Sequence, residues 1–281
     1  MVGYETTDAG VIKHLLVIYD EWKRQKMKEK NMAPGNSIIE IETAAGTVKG
    51  ILRSVEKNKR LALLCRGLTG DLNRRLSVDD LADALAEKGW SSIRFDYRGR
   101  GNSYKAPNLP TVSSMMEDVT CVLSHIKQTF CKEPDAVIAI AIGCRLALEC
   151  LKEYPTIPLI MWAPIIWFQT SAEIRYRMHE YRRTGVMEFD RTRIGDVFLE
   201  SARDPTYDEV SSWVFKERHH FIAHGIEDEV VPMRLLTEGR DLIQQAGGDV
   251  KLFVVSGEHP HPKANVQTQI QKVVEVVGTL P

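Results

Sequence analysis

The residues that could do chemistry in this chain are few, and each sits in a short stretch. At Ala139-Ile140-Ala141-Ile142-Gly143 an apolar run breaks into a helical pattern at a sharp turn. The side chain at that turn is a methyl, Ala141, which cannot attack a carbonyl. Cys144 is a thiol three residues on, and helix N-termini lower thiol pKa values. It nevertheless shares the helix's inward spacing with Ala147, Leu148 and Leu151, which reads as core. Imidazoles able to move protons stand at His259 and His261, just after Ser256-Gly257, and carboxylates at Glu227, Asp228 and Glu229. His219 and His220 are adjacent rather than i, i+4, and no HExxH occurs, so no metal site is expected. Arg98-Gly99-Arg100-Gly101 is glycine-rich but lacks the Lys-Ser/Thr of a phosphate loop and the spacing of a dinucleotide fingerprint.

The elements that must position these residues follow from hydrophobic periodicity. Apolar runs at Leu61–Cys65, Ala136–Ile142 and Ile157–Ala163 read as strands buried on both faces. Trp90–Tyr97, His220–Ala223 and Val250–Val255 complete that set, and Ser37–Glu42 with Thr47–Val55 reads as an antiparallel hairpin turning at Gly46. Helical spacing marks Leu76–Lys88 with Gly89 as its stop, Met115 to Ile126, Met233–Gln245 and Val266–Leu280. Strands alternating with helices predict an α/β fold with a mostly parallel sheet.

Five of these pieces, in order, resemble the α/β-hydrolase fold superfamily of serine esterases, thioesterases and acyltransferases. The turn at Ala141 corresponds to the family's G-x-S-x-G elbow, with Ala139 for the first Gly and Ala141 for the nucleophile. Arg66-Gly67 follows the first parallel strand, where the family usually has His-Gly. Asp96-Tyr97-Arg98-Gly99-Arg100-Gly101-Asn102-Ser103 is similar to its D-x-R-G-x-G-x-S turn, read here as structural. His224-Gly225-Ile226-Glu227-Asp228-Glu229-Val230-Val231-Pro232 is similar to its HGxxDxxVP loop, and Gly257-Glu258-His259-Pro260-His261 to its histidine loop. The resemblance implies a catalytic site of Ala141 at the nucleophile position, Asp228 as the orienting acid and His259, rather than His261, as the base. It also implies an oxyanion hole from the amides of Leu68 and Ile142, no cofactor, and a small-molecule acyl substrate that a carrier protein could present. The elbow's small residues loosely resemble those of bacterial acyltransferase and thioesterase relatives.

Domain organisation follows the same comparison. Residues 37–166 and 218–281 read as the core, and 167–217, rich in aromatics and arginines, as an inserted helical cap or lid. Its Arg175, Arg177, Arg182, Arg183, Arg191 and Arg193 could meet a carboxylate, a phosphate or a carrier surface, or simply face solvent. Residues 1–36 read as an N-terminal helical extension. Ile12, Leu15, Leu16, Tyr19 and Trp22 share one helix face and a basic tail follows, which reads as a helix packed on the core, a dimerisation or carrier-protein docking arm, or a membrane-surface helix.

Composition limits the function classes. The 281 residues carry a net charge of −1, which gives no general pull toward nucleic acid or an anionic membrane. No apolar run is long enough to span a bilayer, and the first ten residues lack the layout of a signal peptide. Five cysteines without a CxxC pair read as reduced thiols, and a cytoplasmic location is expected. The oligomeric state stays open. Two readings of Ala141 also stay open. It replaces a serine, as in a substrate-trapping variant whose supporting groups all remain. Alternatively it is natural, in a relative that binds a ligand or uses His259 and Asp228 for acid–base cyclase or lyase chemistry.

Overall fold

The computed structural model describes residues 35–56, 60–67, 77–103, 110–167, 187–189, 192–194, 201–260 and 266–280. In chain order the strands are β1 (Asn36–Thr43), β2 (Gly46–Arg53), β3 (Leu61–Cys65), β4 (Ser91–Asp96), β5 (Ala136–Ile140), β6 (Leu159–Trp162), β7 (Met187–Phe189), β8 (Thr192–Ile194), β9 (His219–Gly225) and β10 (Asp249–Val255). An eight-stranded sheet carries the described fold, in the spatial order β1-β2-β4-β3-β5-β6-β9-β10. The run from β4 to β10 is parallel, and β1 and β2 join one edge antiparallel.

Burial follows that layout. Every residue of β3, β5 and β6 is buried, because helices cover both faces of the parallel strands. The edge strand β1 is instead a mix of half-buried and exposed residues. The helices are α1 (Ser77–Glu87), α2 (Val112–Phe130), α3 (Gly143–Cys150), the short α4 (Tyr207–Ser212), α5 (Met233–Gln245) and α6 (Gln267–Gly278). Leu81 and Leu85 of α1, Val119 and Val122 of α2, and Ile270 and Val273 of α6 enter one continuous apolar core. Helix α2 opens on a capping box: Thr111 Oγ1 accepts from the Ser114 amide and Ser114 Oγ accepts from the Thr111 amide.

Element ends depart from periodicity where backbone conformation intervenes. The apolar run expected as a strand to Ile142 stops at Ile140, because Ala141 adopts φ 51° and leaves the sheet. Of segment 167–217, the described part holds an antiparallel ribbon of β7 with β8, and helix α4. A strand pair within the segment expected to be helical accords with the strand preference of Phe189, Thr192 and Ile194. The expected N-terminal extension lies outside the described residues up to residue 34.

The Asp96–Ser103 turn ties the hairpin to the parallel strands. Arg98 Nε pairs with Asp118, its Nη2 reaches Glu117 at 2.7 Å, and its amide donates to Asp118 Oδ2 at 2.7 Å. Ser103 Oγ donates to the Asp96 carbonyl at 2.8 Å and accepts the Lys49 amide at 2.9 Å. These contacts are internal to the scaffold, as a structural turn requires. Among the described residues no helix is long and apolar enough to cross a membrane.

Candidate active site

The site lies along the carboxyl ends of β5, β6, β9 and β10, which are consecutive neighbours in the sheet. Open α/β sheets bind ligands at that edge. Ala141 stands between β5 and α3 with φ 51°, a left-handed conformation that L-residues other than Gly, Asn and Asp rarely adopt. Close packing holds it there. The Ala141 amide donates to the Trp162 carbonyl at 3.0 Å, and its own carbonyl accepts the Ile165 and Cys144 amides at 3.0 Å each. A Cβ on Gly143 would stand 2.5 Å from the Arg66 carbonyl and 2.6 Å from that of Cys65. Only glycine lets helix α3 start that close to the end of β3.

Gly67 brings the neighbouring loop against this turn. A Cβ there would lie 3.2 Å from the Ala141 methyl, so the backbone after β3 passes directly beside it. The next residue, Leu68, expected to supply an oxyanion amide, lies outside the described residues. Ile142, the other expected donor, occupies the cap position of α3, where the opening amides have no intrahelical acceptor. Two donors at this turn would suit a negatively charged oxygen beside Ala141.

The imidazole and carboxylate expected to act together are bonded. His259 Nδ1 donates to Asp228 Oδ2 at 2.8 Å, leaving Nε2 as the outward nitrogen. Asp228 Oδ1 accepts the amides of Val230 and Val231 at 2.9 Å each. Burial alone would raise the Asp228 pKa. The His259 hydrogen bond and charge and the Val231 amide outweigh it and hold the carboxyl below its usual range. The neighbouring carboxylates, Glu227 and Glu229, belong to exposed residues. Glu227 instead clasps the histidine loop: its carboxylate accepts the Gly257 amide and, at 3.2 Å, the Ser256 hydroxyl. His261 lies outside the described residues.

Three supporting residues were not legible in sequence. His224 is fully buried, and its Nε2 donates to the Val231 carbonyl at 3.1 Å while Nδ1 faces Asp228 Oδ2 at 3.7 Å. Burial lowers its pKa, so the ring is neutral and leaves Asp228 to His259. Gln269, on α6, accepts from Trp162 Nε1 at 2.5 Å and donates from Nε2 to the Glu258 carbonyl at 2.7 Å. Trp162 thus links the two halves, its carbonyl holding Ala141 and its indole reaching, through Gln269, the residue before His259. The available signals were a glutamine on the apolar stripe of Val266–Leu280 and the place of His224 at the head of the HGxxDxxVP-like loop.

Cys144 does not reach this site. It is fully buried, its thiol donates to the Ala139 carbonyl at 3.1 Å, and burial raises its pKa well above the usual thiol value. An apolar cleft opens nearby between the loop after β6 and helix α5, lined by Pro164, Ile166, Trp167, Leu235 and Leu236. His219 and His220 begin β9 facing opposite ways, His219 exposed and His220 buried. Among the described residues no group of three His, Cys, Asp or Glu could hold a metal ion.

Known proteins share the fold. Residues 56–188 match the family model Hydrolase_4, described as serine aminopeptidase, S33. Among solved structures, Est1E from Butyrivibrio proteoclasticus superposes with a TM-score of 0.63 at 17% identity, over 85% of this chain and 97% of that one. The same protein with ferulic acid bound gives 0.67 at 15% identity, over 86% and 98%. An esterase of Pyrococcus furiosus gives 0.65 at 17% identity, over 87% and 89%. No curated protein sequence matches the chain.

Proposed function

We propose that this chain, which has the α/β-hydrolase fold, is built as a serine hydrolase-type esterase acting on an ester or thioester. Its nucleophile position is occupied by Ala141. The observation that carries this reading is the left-handed Ala141 at the β5–α3 turn, at the same sheet edge as the bonded His259–Asp228 pair. That conformation costs about 1–2 kcal/mol for an L-residue, a cost that fits a turn built to present the side chain at 141.

With a serine at 141 we propose the following sequence of events. The hydroxyl attacks the acyl carbonyl as His259 Nε2 takes its proton, while Asp228 fixes the Nδ1–H tautomer and stabilises the imidazolium. The amides of Leu68 and Ile142 meet the oxyanion. His259 then returns the proton to the leaving alcohol or thiol, and water, or a second alcohol in a transferase, releases the acyl group. An apolar acyl chain would find apolar side chains at Ile166, Trp167 and Leu235, and we assign segment 167–217 the role of a lid. We place the protein in the cytoplasm, acting on a small acyl compound that a carrier protein could present.

As written, the chain binds such a compound without forming an acyl-enzyme. The test is hydrolysis of p-nitrophenyl esters and acyl thioesters by this chain and by Ala141→Ser. The expected outcome is a gain of about 10³-fold or more in kcat for the serine form, the scale on which a triad member acts. The methyl at 141 itself favours a second reading, a ligand-binding or acid–base relative that never used a serine. Tight ligand binding by both forms, with no turnover by Ala141→Ser, would establish that reading instead.

A further inference from the structure

Two guanidinium groups beside the oxyanion loop carry buried N–H donors that lack acceptors. Arg66, the first residue after β3, is 4% exposed, and its Nη1 pairs with Asp96 at the end of the adjacent strand β4. Tyr97 Oη donates to the Arg66 carbonyl at 3.0 Å, which holds the backbone in place. Nε and Nη2 of Arg66 are nevertheless buried without a partner. Arg100 follows β4 on the turn after Asp96, with its amide bonded to the Tyr97 carbonyl at 2.9 Å, and its Nε is in the same condition. Burial, and then the charge of Arg66, lower the Arg100 pKa to about 10, which leaves Arg100 cationic at neutral pH. Arg98 between them is engaged elsewhere, by Asp118 and Glu117.

A guanidinium is a fork of N–H donors with no acceptor of its own, and burying such donors unpaired is strongly unfavourable. Here three of them gather at one corner of the sheet's carboxyl edge. Gly67, whose backbone passes beside the Ala141 methyl, is the residue next to Arg66. We propose that Arg66 and Arg100 together bind an oxyanion, a carboxylate or phosphate group, carried by the molecule that occupies the Ala141 site. Planar N–H pairs match such groups bidentately. That the anion belongs to an acyl substrate rests on the esterase reading. That the site binds an oxyanion does not.

The test is isothermal titration of the full chain, as written, with inorganic phosphate and separately with acetate, at ionic strength held constant with sodium chloride. Saturable binding of at least one anion is expected, and which one binds tighter separates a phosphate from a carboxylate site. Arg100→Met, at a half-buried position, and Arg66→Lys should each weaken it about tenfold or more. The same anion should raise the melting temperature of the parent and not of Arg100→Met. No saturable binding of either anion, or an unchanged affinity in both folded variants, overturns the proposal. Anion binding in a chain whose Ala141→Ser form hydrolyses nothing would sink the esterase reading and leave this site standing. Hydrolysis by Ala141→Ser without anion binding would do the reverse.

Discussion

At the scale of single residues, the decisive feature is a side chain that is too small. Ala141 keeps the backbone of an elbow and lacks the oxygen, while Asp228 keeps all the partners that a triad acid needs: two amides on one oxygen and an imidazole on the other. In an Ala141→Ser background, Asp228→Asn should therefore cost about 10⁴-fold in kcat with little change in the fold, since an amide favours the wrong tautomer of His259. In that background His259→Ala should abolish turnover and His261→Ala should leave it intact, both measured by steady-state ester hydrolysis. Sequence alone favours Asp228 over Glu227 and Glu229 only through its place in a family-like loop. The structure adds a physical reason for the distinction: the Asp228 side chain is buried against His259, whereas Glu227 is spent on holding the histidine loop.

At the scale of elements, glycines and one glutamine decide how closely strand ends approach. Gly143→Ala would drive a methyl into two backbone carbonyls that cannot give way. A loss of about 2 kcal/mol or more is expected, read by urea denaturation. Gly225 is similarly constrained, since a Cβ there would overlap the Gly257 carbonyl and crowd Gln269. Gln269→Leu removes an acceptor from the buried Trp162 indole and a donor from the part-buried Glu258 carbonyl. It should cost about 1–3 kcal/mol, mainly from the buried indole N–H that loses its acceptor. In the Ala141→Ser form it should also lower kcat more than it raises KM, because the His259 loop loses its tether to α6. Strand and helix positions were readable from periodicity, but this bridge was not. Trp162 and Gln269 lie 107 residues apart in the chain, and nothing in a local pattern marks a buried glutamine as bonded.

At the scale of the whole molecule, stability should depend on pH through a buried imidazole that the site does not use. His220 is 1% exposed, and burial, aided by the charge of Arg218, lowers its pKa to about 4. The unfolded chain, with the ordinary histidine value near 6.5, binds that proton first. Stability is therefore full above about pH 6.5 and falls as pH drops toward 4, by up to about 3 kcal/mol from this group alone. Urea denaturation at pH 7 and pH 4.5 should show the loss, and His220→Gln should remove most of the difference between the two.

What the sequence by itself determined is the alternation of buried strands and amphipathic helices, and the order in which the turn at 141, the acid at 228 and the histidine at 259 occur. Those properties are carried by neighbours within a few residues of one another, where hydrophobic period and backbone preference act. Only the tertiary structure decided that Ala141 holds a left-handed conformation against Gly67, that Gln269 ties the histidine loop to Trp162, and that Arg66 and Arg100 keep unpaired donors at one corner of the sheet. Each depends on which strand ends lie side by side, and that follows from the packing of the entire sheet rather than from any segment read alone.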